Sequence, residues 1–189
     1  MHPVEVLFIP LGKALRKRRG DEALSISHAP ELATDTHLTL SSPGFRDGEE
    51  IPARFCGPLI GPDISPAFTW NSLPTGTVDL VLMMEDLDVP ARAPGIHMIA
   101  EFAPVQDGLP EGALVAGASE ITYVPWHGRP GRYGGPRPIP GHGPHRYRFH
   151  LYALNTHVDL TRLTGPEQLP AALAGHVLAS GILVGTRTS

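Results

Sequence analysis

The rigid turn Gly141-His142-Gly143-Pro144 delivers His145 to the head of the run Arg146–Asn155 (RYRFHLYALN). Two glycines and a proline bar a helix from entering this run. Its alternating bulky and polar residues make it the clearest β-strand of the chain. Side chains two apart share one face of a strand, so counting from His145 places Tyr147, Phe149, Leu151 and Ala153 together. A histidine and a tyrosine thus stand at the mouth end of an otherwise apolar face. A small ligand pocket needs that combination.

The rest of the chain is cut short in the same way. Its 21 glycines and 21 prolines are spread evenly over 189 residues. Few long helices survive such punctuation, and apolar runs recur between the turns, so many short strands joined by irregular loops are expected. Val78–Glu85 (VDLVLMME) reads as a buried strand, Ile121–Val124 and Ile182–Val184 as shorter ones, and Ile96–Ala103 alternates less cleanly. Thr39-Leu40 and Phe45 lead into the turn Arg46-Asp47-Gly48.

Helical signals lie near the two ends. Pro10–Arg19 predicts a short helix with Leu11, Ala14, Leu15 and Arg18 on one face, Arg16–Arg19 in its last turn and Gly20 as its cap. Asp21–Asp35 reads as a connector with one further helical turn. Thr164-Gly165-Pro166-Glu167 has capping-box spacing ahead of a stripe formed by Leu169, Leu173, His176 and Val177, with regular helix able to begin at Pro170. No internal repeat or linker marks a second domain.

A net charge of −4 disfavours nucleic acid as a partner. No window approaches the roughly 18 consecutive apolar residues of a membrane span. The apolar run Val4–Leu11 precedes its basic residues, the reverse of an export signal. The single cysteine, Cys56, excludes an internal disulfide framework. A cytoplasmic protein is expected.

Polar groups that could carry chemistry gather at strand–loop junctions. Asp86-Leu87-Asp88-Val89-Pro90 follows the buried strand; in extended chain its two carboxylates would point the same way and could share a proton. An Asp at a strand end also makes turns through its own backbone, and both readings stay open. His97 follows Pro94-Gly95 at the next strand. His142 with His145, or His145 with the carboxylates, could chelate a divalent ion, but no spacing matches a strong metal signature. Cys56 has no cationic neighbour in the sequence, and no nucleophile elbow, phosphate loop or dinucleotide fingerprint occurs.

An ordered series of motifs resembles the phosphatidylethanolamine-binding protein family, in particular its bacterial Raf-kinase-inhibitor-like branch. The series is Ser42-Pro43-Gly44-Phe45, Asp47-Gly48, Ile51-Pro52, Ile64-Ser65-Pro66, Phe68-Thr69-Trp70 and Leu73-Pro74. It continues with Asp86-Leu87-Asp88-Val89-Pro90, His97, Gly135-Pro136-Arg137-Pro138 and Gly141–Tyr147, and ends with Gly175–Ala179 and Leu183–Thr186. It covers roughly residues 37–188. Residues 1–36 lie outside it as an N-terminal helical extension to a 37–189 domain.

The resemblance implies a mainly β, antiparallel, sandwich-like fold with a C-terminal helix. It also implies a pocket built from Asp86, Asp88, Pro90, His97, Pro138, His145 and Tyr147. Such pockets accept phosphate-like groups, including phospholipid head groups, and the role implied is binding, inhibition or signalling modulation rather than turnover. No cofactor or metal is implied. A homodimer is compatible with the resemblance; neither an interface nor a protein target is marked. The competing reading is a hydrolase using the Asp/His group with a metal or as acid and base. Two ionised carboxylates would repel a phosphate, so binding calls for a cationic His97 or His145, or a proton on an aspartate. The chain departs from the family at Leu87, where proline is usual, at Met98, where tryptophan is usual, and at Arg137, where a small residue is usual.

Overall fold

The structure, a computed structural model, describes residues 3–105, 108–124 and 131–189. In chain order it contains helices α1 (Pro3–Val6) and α2 (Ile9–Leu15), then strands β1 (Leu40–Ser41), β2 (Thr69–Trp70), β3 (Asp79–Asp86), β4 (Gly95–Phe102), β5 (Ile121–Tyr123) and β6 (His145–Leu154). Helix α3 (Leu169–Leu173) and strand β7 (Val177–Arg187) complete it. Five strands form one antiparallel sheet in the order β5-β4-β3-β6-β7, and β1 and β2 pair antiparallel in a second. The mainly β, antiparallel architecture is as expected from the sequence.

Strand β3 lies at the centre, and its residues are buried on both faces, which is why its sequence is a continuous apolar run rather than an alternation. On one face, Tyr147, Phe149, Leu151 and Ala153 of β6 join Leu40, Phe45, Phe68 and Trp70 in the larger core. Their shared face follows the count by twos. On the other face, Tyr152 and Leu154 pack with Leu32, Leu160, Leu169 and Leu173.

The untidy alternation of β4 has a structural cause. Pairing with β3 steps from Met84–Met98 to Glu85–Ile96 and skips His97. One extra residue in β4 makes a bulge, which reverses the in–out alternation at that point. Ile96 packs in the second core while Met98 packs in the larger one, and His97, between them, turns its ring toward Tyr147, 5.4 Å between centroids.

The ends of the chain differ in detail from their expected forms. Helix α2 stops at Leu15, so Arg16–Arg19 follow it rather than filling its last turn, and Gly20 is not its cap. The reason is tertiary: the carbonyls of Leu15 and Arg18 accept hydrogen bonds from His142. Residues 22–32 form three short 3-10 turns, not one helical turn. At the other end, α3 begins at Leu169, and Gln168 rather than Glu167 accepts the hydrogen bond from the Thr164 amide. His176 lies outside the helix and Val177 already opens β7, which runs much longer than Ile182–Val184. Among the described residues, no helix is long and apolar enough to cross a membrane.

Candidate functional site

The ends of three adjacent strands meet at one edge of the large sheet. Asp86 closes β3 and pairs across it with Tyr147 on β6 and Gly95 on β4. His145 opens β6, and the bulge turns His97 toward Tyr147, so that both histidines line one cleft. Residues 57–63 and 132–139 form the facing walls. Together they enclose an open cleft of about 570 Å³, whose lining includes Asp63, Asp86, Pro90, His97, Arg132, Arg137 and His145. Gly141 and Gly143, at φ of 81° and 110°, give the backbone the left-handed turns that aim His145 into this edge.

Asp86 is buried and receives Nδ1 of His145 at 2.8 and 3.0 Å from its two oxygens. The amide of Asp88 donates to Asp86 Oδ1 at 2.9 Å. Nε2 of His145 lies 2.6 Å from Nδ1 of His142, whose Nε2 donates to the Leu15 and Arg18 carbonyls at 3.0 and 2.9 Å. Burial pulls the His142 imidazole below its ordinary pKa, and the neighbouring His145 and Arg19 add to this. His97 sits with Nδ1 at 2.7 Å from the Gly134 carbonyl, so Nδ1 carries the hydrogen and fixes the ring against the wall loop.

The two aspartates do not act as a pair. Strand β3 ends at Asp86, the backbone turns, and the premise of an extended Asp-x-Asp fails. Asp88 points away, taking the Arg146 amide at 2.7 Å and the Arg146 guanidinium at 2.9 and 3.2 Å, with Arg19 at 3.6 Å. Burial raises its pKa, but the hydrogen bonds and charge of Arg146 outweigh this and hold it below the usual carboxylate range. Asp86 therefore pairs with His145 instead of with Asp88. The turn made through Asp86's own side chain is the one the sequence left open.

Of the seven expected pocket residues, Asp86, Pro90, His97 and His145 line the cleft. Tyr147 lies fully buried behind it, its ring near-parallel to His145 at 6.3 Å. Burial, with the Asp86 charge adding, pushes its phenol pKa well above the ordinary value. Pro138 lines a neighbouring groove of about 300 Å³, together with Phe8 and Leu11 of the N-terminal segment.

The departure at position 87 has a physical account, and those at 98 and 137 have a defined place. The Leu87 amide donates to the Arg146 carbonyl at 2.9 Å, a bond proline cannot make. Met98 is buried in the larger core. Arg137 is exposed and borders both the cleft and the groove. Sequence reasoning missed Arg132 and Asp63, which pair at 3.3 Å on the cleft wall; no motif marks them. Asp63 also accepts the Gly135 amide at 2.7 Å, tying together the two wall loops. Among the described residues, no group of three or more His, Cys, Asp or Glu is arranged to hold a metal ion. Cys56 is buried, and burial pushes its thiol up to about 11.

Comparison with known proteins places these features in a family. The profile described as phosphatidylethanolamine-binding protein matches residues 41–188. A protein of Methanothermobacter thermautotrophicus named only as a UPF0098 protein is 33% identical over 148 residues, covering 78% of this chain and 97% of that one. The crystal structure of CT736 from Chlamydia trachomatis, described as a homologue in the same family, is 31% identical with a TM-score of 0.67, covering 82% of this chain and 99% of that one. The Escherichia coli protein YbcL shares the fold at 21% identity, with a TM-score of 0.70 and coverage of 82% and 99%.

Proposed function

The chain belongs to the phosphatidylethanolamine-binding protein family, and from that premise we propose that its cleft holds a small phosphorylated or otherwise anionic ligand. The family's name makes a phospholipid head group one member of that class. The output of the site is occupancy, as in an inhibitor or signalling modulator. The proposed contacts come from Asp86, Pro90 and His97, with His145 on the cleft lining holding Asp86 and Tyr147 buried behind His145, while Asp88 is taken by Arg146 and Pro138 lies in the neighbouring groove. Residues 1–36 are an extension of a 37–189 domain in this reading, and the protein works in the cytoplasm.

The observation that carries the proposal is the engagement of both ring nitrogens of His145, by Asp86 on one side and His142 on the other. A histidine held this way supports Asp86 and has no nitrogen left to shuttle a substrate proton, which favours holding over hydrolysis. Asp86 at the cleft surface suits a protonated phosphate oxygen, since a P–OH donates to a carboxylate. Arg137 and a protonated His97 suit the remaining anionic oxygens.

Titration calorimetry with inorganic phosphate and with phosphoethanolamine tests the reading. Saturable binding to the wild type that is lost in Asp86→Asn and His97→Ala supports it. Heats indistinguishable from dilution for both probes between pH 6 and 8 would sink it. Sustained release of phosphate from phosphoesters would favour the hydrolase instead.

A further inference from the structure

We propose that His142 is a positioning residue through which the N-terminal segment sets the protonation of the cleft, by keeping Nε2 of His145 protonated. Backbone carbonyls only accept, so the contacts of His142 Nε2 with Leu15 and Arg18 fix a hydrogen on Nε2. Two hydrogen bonds remain, His142 Nδ1 to His145 Nε2 and His145 Nδ1 to Asp86. Each needs one hydrogen.

Counting hydrogens gives the charge of the group. Two neutral imidazoles and an ionised carboxylate hold two hydrogens and carry −1. Three bonds need three hydrogens, so the fully bonded chain His142–His145–Asp86 is neutral whichever atom each proton sits on. Burial disfavours a positive His142, which leaves Nδ1 of His142 as acceptor and Nε2–H of His145 as donor. The third proton then sits between His145 Nδ1 and Asp86. A neutral group at the cleft floor does not repel an oxyanion, whereas the two-hydrogen state does.

The charged and titratable neighbours come from every side. Tyr147 stacks on His145 from β6, and His97 from β4 lies edge-on to Tyr147. Arg19 donates to the Pro144 carbonyl at 2.7 Å and approaches Asp88. Arg187, opposite His145 on β7, is turned away to Glu50 at 2.9 Å. The acceptors that orient His142 lie before residue 41, where the family match begins. This chain therefore orients its cleft from a segment outside the matched region.

Long-range ¹H–¹⁵N spectra of the full-length protein at pH 7 read the imidazole states directly. His142 is expected to carry hydrogen on Nε2 alone, and His145 on Nε2 with a second proton shared at Nδ1. His142→Gln keeps one donor and one acceptor at similar spacing and should retain this His145 signature. His142→Ala should convert His145 to the neutral form with hydrogen on Nδ1. An unprotonated Nε2 on His145 in the wild type would overturn the proposal, as would an unchanged His145 spectrum in His142→Ala. The wild-type and Gln spectra decide the matter if the Ala variant does not fold.

A phosphate titration forms the second arm and rests on the anion-binding reading. One added negative charge at the floor should weaken binding at least about tenfold in His142→Ala, with recovery in His142→Gln. Absent phosphate binding in the wild type, with the expected spectra, overturns the anion reading and leaves the role of His142 standing.

Discussion

The imidazole of His145 lies against the carboxylate of Asp86, Nδ1 to Oδ2 2.8 Å, with both side chains buried. Removing either partner leaves a buried polar group without its bond, at a cost of about 1–3 kcal/mol. Asp86→Asn and His145→Ala should each lower the unfolding free energy by that amount and reduce phosphate affinity more than about tenfold. Chemical denaturation and calorimetry on the same samples check both. Retained affinity in His145→Ala would remove His145 from the site.

Phosphate and phosphoethanolamine binding should strengthen as pH falls from about 8 to about 6, where imidazoles gain their proton. A cationic imidazole at the cleft wall makes the site less negative toward an oxyanion. Calorimetry at three pH values with a buffer correction for proton uptake measures this. A flat profile would count against a cationic imidazole as a ligand contact.

Arg137 and Arg132 should differ. Arg132 is paired with Asp63 on the cleft wall, whereas among the described residues no ion pair is formed by the exposed Arg137. Arg137→Ala should therefore weaken phosphate binding several-fold, and its loss should be larger at low ionic strength. Arg132→Ala should act mainly by loosening the wall loops. Equal affinity of Arg137→Ala and wild type would make Arg137 a bystander.

The N-terminal segment should come away in acid. Glu22 is paired with Arg146 and Arg148, and Asp88 with Arg146 and Arg19. The hydrogen bond from Arg148 is the main cause that lowers the Glu22 carboxyl, while Arg146 offsets burial at Asp88. Groups with depressed folded values stabilise the protein above their unfolded values, roughly 4 for Asp and Glu, and that stabilisation is lost as pH falls through the folded ones. Below about pH 4, amide exchange should accelerate at residues 21–28 before it does in β3. Uniform exchange across both would argue against this order.

Gly12→Ala should destabilise the protein although alanine favours helix. A Cβ at Gly12 would lie 2.0 Å from the Pro140 carbonyl oxygen, backbone against backbone. The segment must shift away from Pro140–His142, at roughly 1–3 kcal/mol. Thermal melting measures it, and an unchanged midpoint would show that the contact is loose.

Sequence alone determined the two central strands, β3 and β6. Period two along β6, continuous burial along β3 and dense Gly/Pro punctuation are local properties, and these two strands follow them. It also pointed to Asp86, His97 and His145 as junction residues, because short-range turn chemistry places polar groups at strand ends. Only the tertiary structure decided what those residues do. The bulge at His97 depends on pairing across β3 and β4, and Asp88 turns outward because Arg146 and Arg19 meet it there. The end of α2 was decided by His142, more than a hundred residues away in sequence. Periodicity reports which face a side chain takes, while hydrogen-bond partners distant in sequence fix where a helix stops and where a proton sits.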